Sequence, residues 1–382
     1  MSIPNYVNKF LHPLMVKRVH RFYNRKLLTI SRYRPELFKT VDALNTQKHL
    51  ELWGRLGLPC SDKWLRMLSN ISGIVDYRYC PDDIYYSVIE RVLNDCDGIT
   101  NILDDKNMLA KFVPADYRPK TVLRYMRGEF FDDAYNWISV KNAKELLFTD
   151  NGPLIAKKSV ESLGGHDVYA FNYVNGQYCE KAGSRLTLDF ISKQGSSFIV
   201  QERVRQCNFS AMFNPYSANT CRIISLRKPW DGTCRVVAAG MRFGVTEAAI
   251  DNMSSGGICV AMGPNGELSR FAVGNWCSGA PVDRHPVSGV SFGDKIHPYY
   301  KDMCKVACEC HANIPNANLL SWDMVVDENK IVKILEVNAK SQGVDWPQFD
   351  FGALFGDDTE AVIDWCVEHK KNDKFAHFRT WF

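Results

Sequence analysis

Residues 319–338 read LLSWDMVVDENKIVKILEVN, and they contain the clearest structural pattern in the chain. Two apolar runs flank the polar tetrapeptide DENK, which predicts a β-hairpin with its turn at 327–330. Asp323 lies on the first strand, and Glu336 and Asn338 point to one face of the second because side chains alternate along a strand. Three oxygen donors on one face suit Mg²⁺, a hard cation that also binds phosphate oxygens. The alternative is a hairpin whose polar side chains simply face solvent.

Two arginines lie upstream on a second predicted hairpin. Arg222 is in CRIISLR and Arg242 is in VAAGMRFG, with the turn sequence PWDGT at 229–233 between them. Pairing of these strands would bring the two guanidinium groups close together. Guanidinium forks bind phosphate oxygens in pairs and stabilise charge on a phosphoryl group during transfer. The alternative is that both are surface arginines on strands.

A lysine and two glycines mark a third element, PLIAKKSVESLGGHDVY at 153–169. A lysine ends the predicted strand, and the loop that follows contains Gly164 and Gly165. Glycines let backbone N–H groups approach a phosphate, and the lysine adds a positive charge. The segment does not match the Walker A pattern, so it predicts a phosphate site only together with the other elements.

The next apolar strand, FIVQERV at 198–204, contains a carboxylate near its end. Such a strand can offer backbone groups and the Glu202 side chain to a purine base. The alternative is that Glu202 pairs with Arg203 or Arg205 on a solvent-facing surface.

The pattern of apolar residues changes along the chain. Residues 1–100 are predicted to be mainly helical, because apolar residues recur there every three to four positions. From 153 onward, short apolar strands alternate with Gly, Asn and Asp turns, and helices are predicted near 184–194 and 299–314. This predicts an α+β fold with mostly antiparallel pairing. The predicted strands are PLIAKK, FIVQERV, CRIISLR, RVVAAGMRFG, GGICVAM and VKILEVN.

The order of these elements resembles that of the ATP-grasp superfamily: a lysine with a Gly-rich loop, a strand with glutamate, an arginine hairpin, Asp323 and a Glu-x-Asn motif. The finer features, over roughly residues 100–350, resemble the sugar-transfer-associated ATP-grasp proteins. The fold implied is ATP-grasp, with two α+β subdomains at 101–205 and 206–382 that grip ATP between them. Residues 1–100 would form a helical N-terminal extension. The motifs that carry the resemblance are ANTCRIISLR, GMRFGV, IDNMSSGGICVAM, HPVSG, WDMVV and EVNAKSQG.

The resemblance also implies ligands and roles for individual residues. ATP and Mg²⁺ would be the cofactors, with Asp323, Glu336 and Asn338 at the metal. The other roles implied are ATP contact for Lys106 and Lys157, phosphate contact for Gly164 and Gly165, adenine contact for Glu202 and Val204, and catalytic phosphate binding for Arg222 and Arg242.

Most ATP-grasp enzymes phosphorylate a carboxylate and let an amine attack the acyl phosphate. The resemblance therefore implies an ATP- and Mg²⁺-dependent carboxylate–amine ligase in bacterial surface-polysaccharide or sugar-linked metabolite synthesis. Its acceptor would be a small or sugar-linked molecule with a carboxylate, an amine or both, and not a nucleic acid. Two alternatives stay open: a kinase that phosphorylates a hydroxyl, and a non-catalytic nucleotide-binding partner of a glycosyltransferase complex.

Composition favours a cytoplasmic protein. The 13 cysteines are odd in number and scattered over 382 residues, which favours reduced thiols over a secreted disulfide framework. No uninterrupted apolar run is long enough to predict a transmembrane helix. Residues 1–35 carry eight Lys or Arg and no acid, with apolar residues at helical spacing. That segment can contact the inner face of an anionic membrane, or its basic face can be solvated or paired with the rest of the protein.

Two further groups of residues have open interpretations. Three cysteines and a histidine at 304–311 lack the paired CxxC spacing of a structural zinc site, which favours buried thiols on a helix. His285 and the pair Asp345 and Trp346 can face the acceptor, or they can form loop structure that the neighbouring prolines fix.

Overall fold

Helices build the N-terminal part of the chain, and two antiparallel sheets with further helices build the rest. The computed structural model describes residues 5–94, 100–160, 167–246, 256–274 and 281–370, with only the backbone for residues 5–13 and 15. The α+β class with antiparallel sheets and a helical N-terminal region, which the sequence predicts, is confirmed.

The N-terminal part begins with a long helix, and four shorter ones follow. Asp42 starts the second helix by accepting a hydrogen bond from the Asn45 amide. The third stops at Gly73, whose φ of +73° suits glycine. The helices are α1 (Asn5–Tyr33), α2 (Ala43–Gly54), α3 (Lys63–Ser72), α4 (Asp82–Ile84) and α5 (Glu90–Asn94), the last two joined by the π-helical turn Tyr85–Ile89.

The first sheet has seven strands in the order β3-β2-β1-β7-β4-β5-β6, each antiparallel to its neighbours. Its outer hairpins close on Arg127–Gly128 and Asn175–Gly176, where all four residues have positive φ. Helices α6 (Val140–Leu147) and α7 (Leu188–Lys193) share its buried apolar cluster. The strands are β1 (Thr121–Met126), β2 (Glu129–Phe131), β3 (Trp137–Ile138), β4 (Leu154–Lys158), β5 (Val168–Val174), β6 (Gln177–Cys179) and β7 (Ser197–Glu202).

The second sheet has five strands in the order β10-β9-β8-β11-β12, again all antiparallel. Both predicted hairpins are present in it, β8–β9 and β11–β12. The strands are β8 (Cys221–Arg227), β9 (Cys234–Phe243), β10 (Ile258–Met262), β11 (Leu319–Val326) and β12 (Val332–Asn338). The helices of this part are α8 (Asn208–Ala211), α9 (Tyr300–His311), α10 (Gln348–Phe351) and α11 (Thr359–His369).

The N-terminal helices are packed onto this second sheet. Ile84 and Tyr85 share one buried apolar cluster with Leu226 of β8 and Leu319 of β11. The helical part therefore has no separate core, and its position is fixed relative to the strands that carry the predicted metal residues.

Helix α9 contains the cysteine and histidine group of the sequence. His311 is fully buried, and its ring nitrogens bond Ser225 Oγ at 2.7 Å and the Ala317 carbonyl at 3.0 Å. Among the described residues, no group of three or more His, Cys, Asp or Glu side chains could hold a metal ion. The histidine is thus a satisfied core residue, and the described cysteines are free thiols.

Candidate functional site

The β11–β12 hairpin supplies the acidic side of the site. Asp323 and Glu336 are register partners on the two strands, and a bulge follows this pair. The bulge adds one residue on β12, so Leu335 and Glu336 are both partly exposed while Ile334 and Val337 stay buried. Asn338, two residues beyond Glu336, is also partly exposed. The predicted shared face of Glu336 and Asn338 is therefore consistent with the burial along the strand.

Arg222 and Arg242 meet at Asp323. Arg222 is directly opposite Asp323 across β8 and β11, and it donates from Nε to Oδ1 at 2.9 Å and from Nη2 to Oδ2 at 3.1 Å. Arg242 Nη2 lies 3.0 Å from the same Oδ2. Burial by itself would raise the pKa of Asp323, but the two arginines outweigh it and lower that pKa to about 2. Both oxygens of Asp323 are therefore engaged by guanidinium groups.

Each arginine is also held from its other side. Arg242 donates from Nε and Nη2 to Thr220 Oγ1, at 3.0 and 2.7 Å. Arg222 Nη1 donates to the Gln342 carbonyl at 2.9 Å. A guanidinium has five N–H groups, and Arg222 uses three of them in these bonds, so two have no bond to any described residue and could serve a ligand. The pair thus forms a fixed cationic surface beside the acidic strand.

Both predicted lysines reach the strand that carries Glu336. Lys106 Nζ donates to Glu336 Oε1 at 3.0 Å, and Lys157 Nζ donates to the Leu335 carbonyl at 3.4 Å. Lys157 is buried, and burial together with nearby Lys106 lowers its pKa to about 8, although Glu336 and Asp323 oppose the shift. The lysines therefore join the first sheet and the segment before it to the second sheet at one place.

The end of β7 forms one wall of a cavity of about 480 Å³ next to these groups. Glu202, Val204, Lys157 and Leu335 all line this cavity. The Val204 N–H has no hydrogen-bond partner within the described part of the chain. A free N–H beside a carboxylate is the donor and acceptor pair that an adenine edge requires.

The Glu202 carboxylate has a partner that the sequence did not indicate. Its Oε1 lies 3.2 Å from Lys120 Nζ, and the Glu202 side chain is 43% exposed. Arg203 instead donates to the Tyr216 carbonyl at 2.7 Å, and Arg205 lies 4.0 Å from Glu328. The alternative pairing with Arg203 or Arg205 is therefore not the one observed. Lys120 escaped notice because it is 82 positions earlier and belongs to no motif.

Other predicted residues fall outside this group. Gly164 and Gly165 lie in 161–166, outside the described residues. His285 is buried, with Nε2 at 3.0 Å from the Gly244 carbonyl, which supports its loop interpretation. Asp345 binds Lys26 of α1 at 2.8 Å, and Trp346 packs so tightly on Gly240 that a Cβ there would lie 2.0 Å from its ring.

The residues present suit Mg²⁺ and nucleotide phosphates. Glu336 and Asn338 carry oxygen donors, and the Glu336 side chain is 29% exposed. The buried Asn338 Nδ2 has no hydrogen-bond partner among the described residues, so this donor is available to a phosphate oxygen, whereas a metal would be bound by the amide Oδ1. Mg²⁺ commonly takes one or two protein carboxylates and completes its shell with water and phosphate oxygens. The Asp323 oxygens, both engaged by arginines, would have to share or exchange these bonds to join it.

Sequence comparison identifies a family. A family model described as “Sugar-transfer associated ATP-grasp” matches residues 99–361, which is more than half of the chain. No curated protein sequence matches the chain.

Several solved structures resemble the chain at low identity. The L-amino acid ligase from Bacillus licheniformis is 10% identical over 70% of this chain and 48% of its own, with a TM-score of 0.38. The VanG D-Ala:D-Ser ligase from Enterococcus faecalis is 12% identical over 72% and 63%, with a TM-score of 0.40. A biotin carboxylase complex from Campylobacter jejuni is 11% identical over 70% and 46%, with a TM-score of 0.41. The chain spans less than two thirds of each of these proteins.

Proposed function

Because the chain belongs to the sugar-transfer associated ATP-grasp family, we propose that it is an ATP- and Mg²⁺-dependent ligase that joins a carboxylate to an amine. The observation that carries the proposal is the continuity of the site. The cavity beside Glu202 and Val204 reaches Lys157, and Lys157 Nζ contacts the residue preceding Glu336. A nucleotide in that cavity would direct its phosphates toward Lys106, Glu336 and the arginine pair. The family resemblance inferred from the sequence motifs is confirmed.

The chemistry needs no side-chain nucleophile. A carboxylate oxygen of the acceptor attacks the γ-phosphorus, the bond to the β-phosphate oxygen breaks, and ADP leaves. The amine then attacks the acyl carbonyl, phosphate leaves, and the amine nitrogen loses a proton. Lys106, Lys157 and the two remaining N–H groups of Arg222 would hold the phosphate oxygens and offset the developing charge. Bound Mg²⁺ would supply further neutralisation of the phosphates, held by Glu336 and Asn338.

The acceptor is proposed from the family. The association with sugar transfer supports a sugar acid, an amino acid or a sugar-linked intermediate as the acceptor, in bacterial surface-polysaccharide or related synthesis at the cytoplasmic face of the membrane. None of the described helices is long and apolar enough to cross a bilayer.

The reaction class can be tested with hydroxylamine. The protein is incubated with ATP, Mg²⁺ and panels of sugar acids and amino acids, with and without amines, and ADP release is followed. A ligase requires both a carboxylate and an amine, and hydroxylamine converts its acyl phosphate into a hydroxamate. A phosphorylated hydroxyl without hydroxamate would instead identify a kinase. Nucleotide binding without any ADP release across the panels would identify a non-catalytic partner.

The low pKa of Lys157 predicts a pH dependence of ATP binding. Lys157 loses its proton as the pH rises through about 8, so the cation available to the phosphates is lost above that value. We expect ATP affinity to fall about tenfold as the pH rises from one unit below that pKa to one unit above it. Lys157→Met should bind ATP weakly and without this dependence, as measured by isothermal titration calorimetry. Lys158→Met at the neighbouring, partly exposed position is the matched control and should keep the wild-type profile.

The Glu202 carboxylate predicts a preference for ATP over GTP. Glu202 would accept from the exocyclic amine of adenine, and the Val204 N–H would donate to a ring nitrogen. Guanine presents a carbonyl where adenine has the amine, so the hydrogen bond to the charged Glu202 would be lost while Lys120 still neutralises the carboxylate, at a cost of about 1.5 kcal/mol. We expect at least a roughly tenfold lower Kd for ATP than for GTP.

Glu202→Gln should narrow that ratio, because an amide can donate to the guanine carbonyl. Glu328→Gln, an exposed carboxylate near the same segment, is the control and should leave the ratio unchanged. If Glu202→Gln also leaves the ratio of the two dissociation constants unchanged, Glu202 does not read the base.

A further inference from the structure

Helix α1 carries two kinds of cation. Those that face the protein have carboxylate partners: Lys26 Nζ lies 2.8 Å from Asp345 and 3.3 Å from Asp82, and His20 Nδ1 lies 2.6 Å from Asp83. Hydrogen bonding to Asp83 raises the pKa of His20. The apolar residues Val19, Leu27 and Ile30 on this side are buried. The inner side of α1 is therefore neutralised and packed.

The opposite side of α1 is different. Lys17, Arg21, Arg25 and Arg32 are exposed, and none of them has a carboxylate partner within the described residues. At 100° per residue these four positions lie within one quarter of the helical circumference. The sequence from residue 1 to 35 contains no acid, so no carboxylate on α1 offsets them. We call this side the outer face of α1.

Large apolar side chains lie on and beside the outer face. Leu14 and Leu28 lie among the cations on it, Phe22 and Tyr33 lie beside it, and all four are between 49% and 65% exposed. Water is a poor environment for such residues, but the boundary between lipid headgroups and acyl chains accommodates them. The phosphates of a nucleic acid would attract the cations but would offer no apolar environment for the leucines. A helix of 29 residues offers a straight surface of about 44 Å for such a contact.

We propose that the outer face of α1 binds the surface of an anionic lipid bilayer, with the helix lying parallel to it. The cations would contact acidic headgroups, and Leu14 and Leu28 would enter the interfacial layer. The buried inner side of α1 keeps the rest of the protein attached to the bound helix. Binding in this mode is independent of nucleotide, so it can be tested apart from the proposed ligase activity.

The test is co-sedimentation of the full chain with vesicles of phosphatidylcholine alone or mixed with phosphatidylserine. We expect binding only to the mixed vesicles, and weaker binding at high salt because screening shortens the reach of the charges. Each cation near an anionic surface strengthens binding about fivefold. The double variant Arg21→Gln/Arg25→Gln should therefore bind about 25-fold more weakly.

The matched control is Lys141→Gln/Lys193→Gln, which removes the same charge from exposed positions on the helices that cover the first sheet. It should keep wild-type vesicle binding, and thermal melting should be unchanged in both variants because all four side chains are exposed. Equal binding to neutral and mixed vesicles, an equal loss in both variants, or binding to duplex DNA without binding to vesicles would each overturn the proposal.

Discussion

Glu336→Gln is expected to lower ATP turnover by about 10²–10³ while leaving the stability of the protein close to that of the wild type. The Glu336 side chain is partly exposed and polar, so the substitution removes little core packing. Glutamine keeps its shape, and its amide oxygen can still accept from Lys106. What it loses is the negative charge and the strong oxygen donor that Mg²⁺ requires.

The choice of glutamine over alanine matters for this experiment. Alanine would leave buried Lys106 without the carboxylate 3.0 Å away, so a loss of activity could come from a loss of fold. The control is Glu309→Gln, at an exposed position of α9 that forms an ion pair with Lys305. This variant should keep the wild-type rate of ATP turnover. The readouts are ADP release and thermal melting. Near wild-type ATP turnover in Glu336→Gln would show that Glu336 does not bind the metal.

The β11–β12 hairpin was predictable because two independent signals coincide there. Apolar runs flank a polar turn, and the oxygen-bearing residues fall at positions that alternation places on one face. Strands β8 and β12 begin and end where their apolar runs do. Local patterns of this kind need no knowledge of the rest of the chain.

The apolar pattern of the sequence does not predict strands β1, β2, β5 and β6, although a turn between two of them has a dipeptide typical of a hairpin. The loop Asn175–Gly176 is the dipeptide most typical of a two-residue hairpin, and both residues have the positive φ that such a turn demands. The strands beside these turns include segments of only three residues, β2 and β6. An alternation of apolar and polar residues cannot be recognised over three positions, so the Asn-Gly dipeptide is the stronger sequence signal for this hairpin.

Contacts across long stretches of sequence could not be predicted. The double engagement of Asp323 depends on the register of β8 against β11, strands separated by 101 positions at the contact. The Lys26–Asp345 bond joins residues 319 positions apart. Alternation gives the face of a side chain on its own strand but not the strand that lies alongside. The sequence patterns therefore select Arg222, Arg242 and Asp323 as candidates but do not predict that Asp323 is held by the two arginines.

Because both arginines contact Asp323, the substitution Asp323→Asn tests directly how the site is held together. Asp323 is buried, and the side chains of Arg222 and Arg242 are only 15% and 11% exposed. Asparagine removes the carboxylate that both guanidinium groups contact and leaves two nearly buried cations close together. Breaking a buried charged cluster from one side typically costs about 3–5 kcal/mol. We expect a loss of about 3 kcal/mol in the free energy of unfolding, measured by urea denaturation without nucleotide or Mg²⁺.

The pH dependence of stability follows from the same residue. The native pKa of Asp323 is about 2, below its ordinary value of 3.8, so its charge contributes stability that is fully present above the ordinary value. That contribution is lost as the pH falls from the ordinary value through about 2. Asp323→Asn has no carboxyl at this position, so the part of the acid-dependent loss that comes from Asp323 should be absent in it.

Two further variants separate an electrostatic cause from a general loss of packing. Asp364→Asn breaks the exposed pair with Arg55, so the same substitution should cost less than about 1 kcal/mol there. Adding Arg242→Gln to Asp323→Asn removes one of the two cations that had contacted the lost carboxylate, and the double variant should regain part of the lost stability, because the substitutions are coupled through a shared contact. If Asp323 acted only as a metal ligand, neutralising it would not change the free energy of unfolding of the metal-free protein. A single variant as stable as the wild type without Mg²⁺ would therefore assign Asp323 to the metal and not to the arginines.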